Sequence, residues 1–213
     1  IGSLINLNEI ELYYNQLSGY IPDSVGELVN LESLDVSDNQ LHGSIPESLV
    51  YLDKLESLNL GSNQFTGSIP AGFGFSGKLY TLSLSNNHLS GSIPNSLGRN
   101  GNEGDNNGNL STLWLNNNNL NGVIPDSLCD IEMLYLTGNN FCPHNIPGCI
   151  TEEELGEQSC IEGCMDSDAC NYKTNAEVDD GSCAYESSIT CYLEGSTCWW
   201  LWSSDQQTLT ITA

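Results

Sequence analysis

Apolar residues return at fixed places through the first two thirds of this chain, with polar residues between them. The pattern is L-x-x-L-x-L-x-x-N-x-L-x-G-x-I-P, followed by a less regular stretch. Its copies begin at Leu7, Leu31, Leu55, Leu79, Leu110 and Ile131, so successive copies are spaced by 24, 24, 24, 31 and 21 residues. Self-similarity at such a period predicts a solenoid in which each copy forms one coil.

Within one copy, the alternation of apolar and polar residues predicts a short β-strand. In the second copy Leu34 and Val36 are apolar and Asp35 between them is polar, which is the period-two pattern of a half-buried strand. One such strand cannot bury its apolar side alone, so stacked coils must shield one another. We expect a single parallel sheet with neighbouring strands about 4.8 Å apart.

Two polar features repeat after each predicted strand. The first is an asparagine, whose amide both donates and accepts hydrogen bonds and so suits a buried ladder that pairs the backbone at each bend. Its members are Asn15, Asn39, Asn63, Asn87, Asn118 and Asn139. The second is a Gly-x-Ile-Pro unit, in which glycine permits an unusual backbone and proline fixes φ. This unit favours a turn into a helical or irregular outer segment.

The template resembles that of leucine-rich repeats, and its G-x-I-P signature is similar to the plant-specific class. That class is found on plant receptor ectodomains and secreted repeat proteins, and similar repeats occur in microbial surface proteins. The resemblance covers about residues 4–141. It implies an α/β-type solenoid with one parallel strand per repeat and an irregular or 3₁₀ outer face, followed here by a small disulfide-rich, mostly irregular or β C-terminal region.

The net charge limits the classes of possible partner, and the cysteine content indicates the cellular compartment. The formal net charge is −24, from 28 acidic and 4 basic residues, so nucleic acid is excluded as a partner by repulsion. Nine cysteines are present, none before Cys129, and their spacing fits no zinc site. Such a density predicts disulfides and a secreted or cell-surface protein. The odd count leaves one cysteine free, paired with another chain, or paired with something outside this chain.

The chain divides into four predicted segments. They are the solenoid at 1–141, a cysteine-containing cap at 142–160, an acidic cysteine-rich module at 161–186 and a short β-rich tail at 187–213. The long spacing within the solenoid holds a Gly/Asn-rich insertion at 99–109, which predicts a loop and ends on the glycosylation sequon at Asn109. The chain opens inside a repeat, as expected of a mature or truncated product, and no apolar run reaches membrane-spanning length.

The cap resembles the Cys-Pro…Cys…Gly-Glu-Gln…Cys ending of repeat proteins from marine and freshwater microbes. With this resemblance we expect a Cys142–Cys149 bridge first and a Cys129–Cys160 bridge second. A polar cover at this place also suits the last coil of a solenoid, which otherwise exposes its apolar edge.

Residues 163–183 look like a G-C-x-D-x-x-A-x-N-Y…A-x-x-D-D-G-S-C module that is common in microbial extracellular proteins. Closure by Cys164–Cys183 is expected. The module carries hard oxygen ligands of the kind that calcium prefers, at Asp166, Asp168, Asn171, Asp179 and Asp180. Calcium is therefore one expectation, and an acidic disulfide knot without metal is the alternative.

The outward residues of the predicted strands align in columns. The central column reads Glu11, Asp35, Asn59, Ser83, Trp114 and Tyr135, and a flanking column includes Tyr13 and Asn116. The face is acidic at one end, small and hydroxylic in the middle and aromatic at the other end. Trp114 and Tyr135 would form a platform for sugar rings or for a partner's apolar anchor; the alternative is that Trp114 leans on the cap.

Catalysis is not expected. The three histidines, His42, His88 and His144, fall at different repeat positions, and nothing predicts a dry pocket around the carboxylates. We therefore expect an extracellular recognition or adhesion module that binds a protein or carbohydrate through the concave strand face. The alternative is a structural subunit of an extracellular fibre, appendage or surface layer, which self-assembles through the solenoid edge or the C-terminal tail.

Overall fold

The computed structural model describes residues 2–75, 77–98, 110–142 and 146–159, together with positions 162–163, 173, 176, 178–179, 201–202 and 209–210. The chain forms two compact units, Ile1–Ser159 and Cys160–Ala213. The finer division into a cap, an acidic module and a tail stays a prediction.

The first unit is a solenoid whose main sheet has six parallel strands. The strands are β1 (Glu9–Glu11), β3 (Ser33–Asp35), β5 (Ser57–Asn59), β7 (Thr81–Ser83), β9 (Thr112–Trp114) and β11 (Met133–Tyr135). They lie side by side in chain order, each paired in parallel with the strand of the next coil. The predicted sheet, with one strand per repeat, is therefore confirmed.

A second parallel sheet forms the next side of each coil. Its strands are β2 (Ser18–Gly19), β4 (Gln40–Gly43), β6 (Gln64–Gly67), β8 (His88–Gly91) and β10 (Asn119–Leu120). The glycine of each repeat unit has a positive φ, for example +82° at Gly67, which a residue with a side chain resists. The chain then turns into the outer face.

The outer face is made of 3₁₀ helices, as the resemblance implied. They span Asp23–Glu27, Glu47–Tyr51, Ala71–Phe75 and Asp126–Asp130. The repeat prolines Pro22, Pro46 and Pro125 directly precede three of them in an extended conformation. A proline there gives up no helical hydrogen bond, because the first N–H groups of a helix have no partner within it.

One continuous apolar core runs through all coils. The inward residue of each main-sheet strand is buried, and these residues are Ile10, Leu34, Leu58, Leu82, Leu113 and Leu134. Each packs between the coils before and after it, so the stability of the solenoid is a sum of nearest-neighbour interfaces.

The asparagine ladder links neighbouring coils. The Nδ2 of Asn87 donates to the carbonyls of Leu84 and Ser85 in its own coil and to Leu60 in the coil before. Its Oδ1 accepts from the backbone N–H of Phe65, at 2.9 Å. All the hydrogen-bonding groups of this buried amide are thus used, which confirms the ladder as architecture.

The last coil is closed by a segment that imitates one more repeat. Gln158 takes the place of the next ladder residue: its Nε2 donates to the Leu136 carbonyl at 3.0 Å, and its Oε1 accepts from the N–H of Phe141 at 3.2 Å. A short helix, α1 (Glu152–Leu155), precedes it. This helix was not predicted, although Thr151 and Glu154 form the S/T-x-x-E capping box that marks a helix start.

The disulfide pairing corrects the prediction. Cys129 is bonded to Cys149, with their Cα atoms 5.6 Å apart, so neither the Cys142–Cys149 nor the Cys129–Cys160 bridge is right. Cys129 lies near the end of the last 3₁₀ helix, Asp126–Asp130, so the bridge joins Cys149 to the outer face. Cys142 is itself disulfide-bonded, to a cysteine outside the described residues.

In the second unit the described strands pair as two small sheets. Strand β12 (Glu162–Gly163) runs parallel to β13 (Val178–Asp179), and β14 (Leu201–Trp202) runs antiparallel to β15 (Leu209–Thr210). Strand β15 lies within the alternating end of the predicted tail. Within the described part of the chain, no helix has the length and apolar character needed to cross a bilayer.

Several predictions fall outside the described residues. They concern the insertion 99–109 with Asn109, the cysteines Cys160, Cys164 and Cys183, and the calcium ligands Asp166, Asp168, Asn171 and Asp180. Of that calcium set only Asp179 is described, and only as backbone in β13.

Candidate functional site

The residues of the predicted central column lie side by side on neighbouring strands and form one row across the main sheet. Register pairs join Glu11 to Asp35, Asp35 to Asn59, Asn59 to Ser83, Ser83 to Trp114 and Trp114 to Tyr135. Because the side chains of a strand alternate between its two faces, this row points away from the buried leucines. We call this surface the strand face. It consists of this row and two flanking columns, one from Glu9 to Met133 and one from Tyr13 to Thr137, and no basic residue occurs in any of the three.

The end of the strand face at β1 and β3 is acidic. Asp35 is half-buried, and its Oδ1 accepts from the backbone N–H of Ser37 at 2.9 Å and from the Ser37 hydroxyl at 2.6 Å. Its Oδ2 accepts from the Nδ2 of Asn59 at 2.9 Å. Glu11 and Tyr13 are both exposed. The Asp35 carboxylate is therefore held in place, whereas Glu11 faces solvent.

The middle of the strand face is closely packed around Gly61. A methyl group placed on Gly61 would lie 3.2 Å from each of three oxygens, the Oδ1 of Asn59 and the hydroxyls of Ser83 and Ser85. Ser83 is 3% exposed and Ser85 is 8% exposed.

The end of the strand face at β9 and β11 is aromatic. The rings of Trp114 and Tyr135 meet edge to face, with centroids 6.1 Å apart and an interplanar angle of 84°. Trp114 is 38% exposed and Tyr135 is 43% exposed, so large parts of both rings remain open to a ligand. The predicted neighbours are therefore brought together by the register of the coils.

A pocket of about 200 Å³ lies beside Tyr135, between β11 and α1. Its lining combines apolar and acidic side chains and comprises Glu132, Met133, Leu134, Tyr135, Thr151, Glu153 and Glu154. Glu132 accepts from the Ser111 hydroxyl at 2.9 Å, and Glu154 is used by the capping box. The sequence could not reveal this pocket, because it depends on where the cap packs.

The two histidines that the structure describes belong to the second sheet and not to the strand face. His42 packs edge to face against Tyr20, with ring centroids 4.6 Å apart, and His88 lies in β8; both belong to the second sheet. His144 is outside the described residues. Throughout the described ranges, no group of three His, Cys, Asp or Glu side chains is placed to hold a metal ion.

Comparison with known families finds the repeat. One family model, described as "Leucine rich repeat", matches residues 30–89. A second model of the same description matches residues 6–28 and 109–131. No protein with a curated function matches this chain.

Among solved structures, the solenoid is similar to plant receptor ectodomains. The PEPR1 chain of the PEPR1–AtPEP1 complex is 34% identical over 66% of this chain, with a TM-score of 0.61. The Arabidopsis receptor kinase HAESA, in complex with the peptide hormone IDA and the co-receptor SERK1, is 33% identical over 66% of this chain, with a TM-score of 0.58. This chain spans only 19% and 23% of those two chains.

A chain of the BIR3–SERK2 complex from Arabidopsis thaliana is nearer in length. It is 36% identical, with a TM-score of 0.53, and the match covers 67% of this chain and 73% of that one.

Proposed function

This chain belongs to the leucine-rich repeat family, and we propose that it is a non-enzymatic extracellular recognition module that binds a protein partner through the strand face. The observation that carries the proposal is the exposed Trp114–Tyr135 pair. Aromatic side chains offer large contact areas at low entropic cost and are enriched among the residues that dominate binding energy.

The setting of the pair supports a binding role. The pair lies at one end of an open sheet face, next to the pocket that α1 and β11 form. Trp114 finds its ring partner in Tyr135 of the neighbouring strand and still keeps its outer surface exposed. A binding anchor needs a rigid aromatic group with solvent on one side, and this pair meets both conditions.

Solved structures that are similar to the solenoid support a protein as the partner. PEPR1 was crystallised with AtPEP1, and HAESA with a peptide hormone and a co-receptor. The extracellular setting is supported by the Cys129–Cys149 bridge and by the bonded state of Cys142, since disulfides persist in oxidising compartments.

The open geometry of the strand face supports recognition rather than catalysis. The carboxylates of Glu11 and Asp35 lie on a sheet face, where water screens them, and not in an enclosed cavity that would tune them for proton transfer.

A peptide-display library selected on the intact chain tests the proposal. Selected peptides are expected to lose binding to the Trp114→Ala/Tyr135→Ala double variant. The matched control is Tyr51→Ala/Phe75→Ala, which removes two aromatic side chains that are 73% and 76% exposed on the outer face. Peptides that bind all three proteins equally would place the site elsewhere, and circular dichroism checks that each variant folds.

Self-assembly is a second candidate, favoured by the first coil. Four of its large apolar side chains are exposed, namely Leu4, Ile5, Leu12 and Leu17. Light scattering of the purified chain with and without reductant decides between the two: concentration-dependent assemblies support a structural subunit, and a monomer at every concentration contradicts it.

A further inference from the structure

We propose that the pocket between β11 and α1, which we call the cap pocket, binds an arginine side chain of the protein partner. The inference rests on the proposed function, because it assigns the chemistry of one partner residue next to the aromatic pair. Three observations carry it: the pocket is open and anchored on both sides, two of its carboxylates can accept further hydrogen bonds, and exposed apolar side chains lie beside them.

The cap pocket has room for a side chain. Its volume of about 200 Å³ is many times the roughly 15 Å³ that a single water molecule needs. A bare metal ion would leave most of this space empty, and in the described ranges no three metal-ligating side chains converge. The occupant that fits is therefore a group of several heavy atoms.

Both walls of the cap pocket are fixed before a ligand arrives. The N–H of Leu136, directly after β11, donates to the carbonyl of Glu154 in α1 at 2.9 Å. The start of α1 is held by its capping box, in which the N–H of Thr151 donates to the Glu154 carboxylate at 2.7 Å. The bridge between Cys149 and Cys129 ties the chain that leads into α1 to the outer face. A pocket with fixed walls loses little conformational entropy when it binds.

Two carboxylates of the cap pocket are available to a cation. Glu132 is oriented by the Ser111 hydroxyl, which donates to its Oε2 at 2.9 Å, and its Oε1 has no partner among the described residues. The carboxylate of Glu153 takes part in no hydrogen bond or ion pair within the described part of the chain. None of the described lining residues is basic, so no cation in that lining offsets these charges.

Apolar surface beside the carboxylates favours arginine over other cations. Met133 and Tyr135 line the pocket and are 46% and 43% exposed. A guanidinium stacks on an aromatic ring and places two parallel N–H groups on a carboxylate, whereas a lysine ammonium is a strongly hydrated point charge. The methylene stem of an arginine also packs well against apolar groups such as the Met133 side chain. The lining therefore combines the three kinds of contact that an arginine makes.

A second copy of this chain is a poor occupant of the cap pocket. The chain has a net charge of −24 and only four Lys and Arg residues, so two copies repel one another. A basic partner is instead attracted at long range, and complementary charge then selects how it docks. Charge complementarity therefore favours a different, cationic protein.

Small probes test the cap pocket without a partner. Nα-acetyl-arginine N-methylamide carries the guanidinium, and the matching citrulline amide has nearly the same shape without the charge. The chain has two methionines, Met133 and Met165, so ¹³C-methyl labelling of methionine gives two signals, which Met133→Leu assigns. In a titration of the full chain, the arginine probe is expected to shift the Met133 signal until it saturates, and the citrulline probe to leave it in place. The corresponding lysine probe is expected to bind at least about threefold more weakly.

Charge substitutions make the test specific. Glu132→Gln and Glu153→Gln each keep the size of the side chain and remove one carboxylate, so each is expected to weaken binding of the arginine probe about three- to fivefold. Glu152→Gln is the matched control, because it changes the net charge by the same amount on the same helix and is not among the lining residues. It should bind the arginine probe as the unmodified chain does.

The inference is overturned if the arginine probe leaves the Met133 signal unchanged or if the citrulline or lysine probe binds as tightly. It is also overturned if Glu152→Gln weakens binding as much as Glu153→Gln, since the attraction would then come from net charge alone. Each of these results leaves the proposed function standing whenever display-selected peptides still depend on Trp114 and Tyr135. Conversely, if the arginine probe binds as expected but those peptides do not need the aromatic pair, the proposed function fails and the cap pocket remains an arginine site.

Discussion

The two sides of the main sheet are made by alternate residues of the same strands, and they follow different rules. The inward side repeats nearly one residue type, with an aliphatic side chain in every coil from Ile10 to Leu134. The outward side changes from acidic to hydroxylic to aromatic over the same strands. The inward side defines a coil that can be stacked, and the outward side is free to differ from coil to coil.

The physical reason is that the two sides have different neighbours. An inward side chain is surrounded by the coils before and after it, so a change in its volume or polarity leaves a cavity or an unpaired group. An outward side chain borders water on one side, where most substitutions have small effects on stability. A recognition surface can therefore vary without loss of the fold.

The largest test of this difference compares two consecutive residues of β7. Leu82→Ala removes a fully buried side chain and is expected to lower the free energy of unfolding by about 3 kcal/mol. Ser83→Ala, on the other side of the strand, removes a buried hydroxyl that has no hydrogen-bond partner among the described residues, and it is expected to cost less than about 1 kcal/mol. Urea titrations followed by circular dichroism measure both, and equal losses would show that the two sides are not energetically distinct.

The second test compares two asparagines. Asn87→Ala leaves the Phe65 N–H without its acceptor, removes one of the donors of three carbonyls and is expected to cost about 2 kcal/mol. Asn116→Ala changes the same residue type on the strand face, where the side chain is half-buried. It should lower the free energy of unfolding by only about 0.5 kcal/mol. If Asn116→Ala proves as costly as Asn87→Ala in the same urea titration, the ladder has no special role.

The smallest test concerns the acidic end of the strand face. Glu11 and Asp35 are register partners, and like charges opposite one another destabilise a sheet. Glu11→Gln is expected to stabilise the chain by a few tenths of a kilocalorie per mole at low salt, with a smaller gain at high salt. Glu9→Gln, opposite Ser33, is the control and should have less effect. A gain independent of salt would rule out charge repulsion as its cause.

Most of the solenoid could be predicted from local pattern. The period of the leucines, the asparagine after each strand and the Gly-x-Ile-Pro unit each repeat within one coil, so their roles follow from one copy and hold for all. The strand-face columns followed from the same register, which is how Trp114 and Tyr135 were predicted to be neighbours.

The end of the solenoid was predicted less well. The cysteine pairing was wrong because cysteine spacing carries no information about which pair meets in space. The role of Gln158 was missed because a glutamine outside the repeat pattern resembles any surface residue until its carbonyl partners are known.

The sequence by itself determined the coil: its period, its buried columns, its ladder and the order of residues along the strand face. It could do so because those properties depend on contacts between identical positions of neighbouring copies. Only the tertiary structure decided which cysteine closes the cap and where α1 forms a pocket beside Tyr135. These features depend on contacts between unlike positions, for which a repeating pattern provides no template.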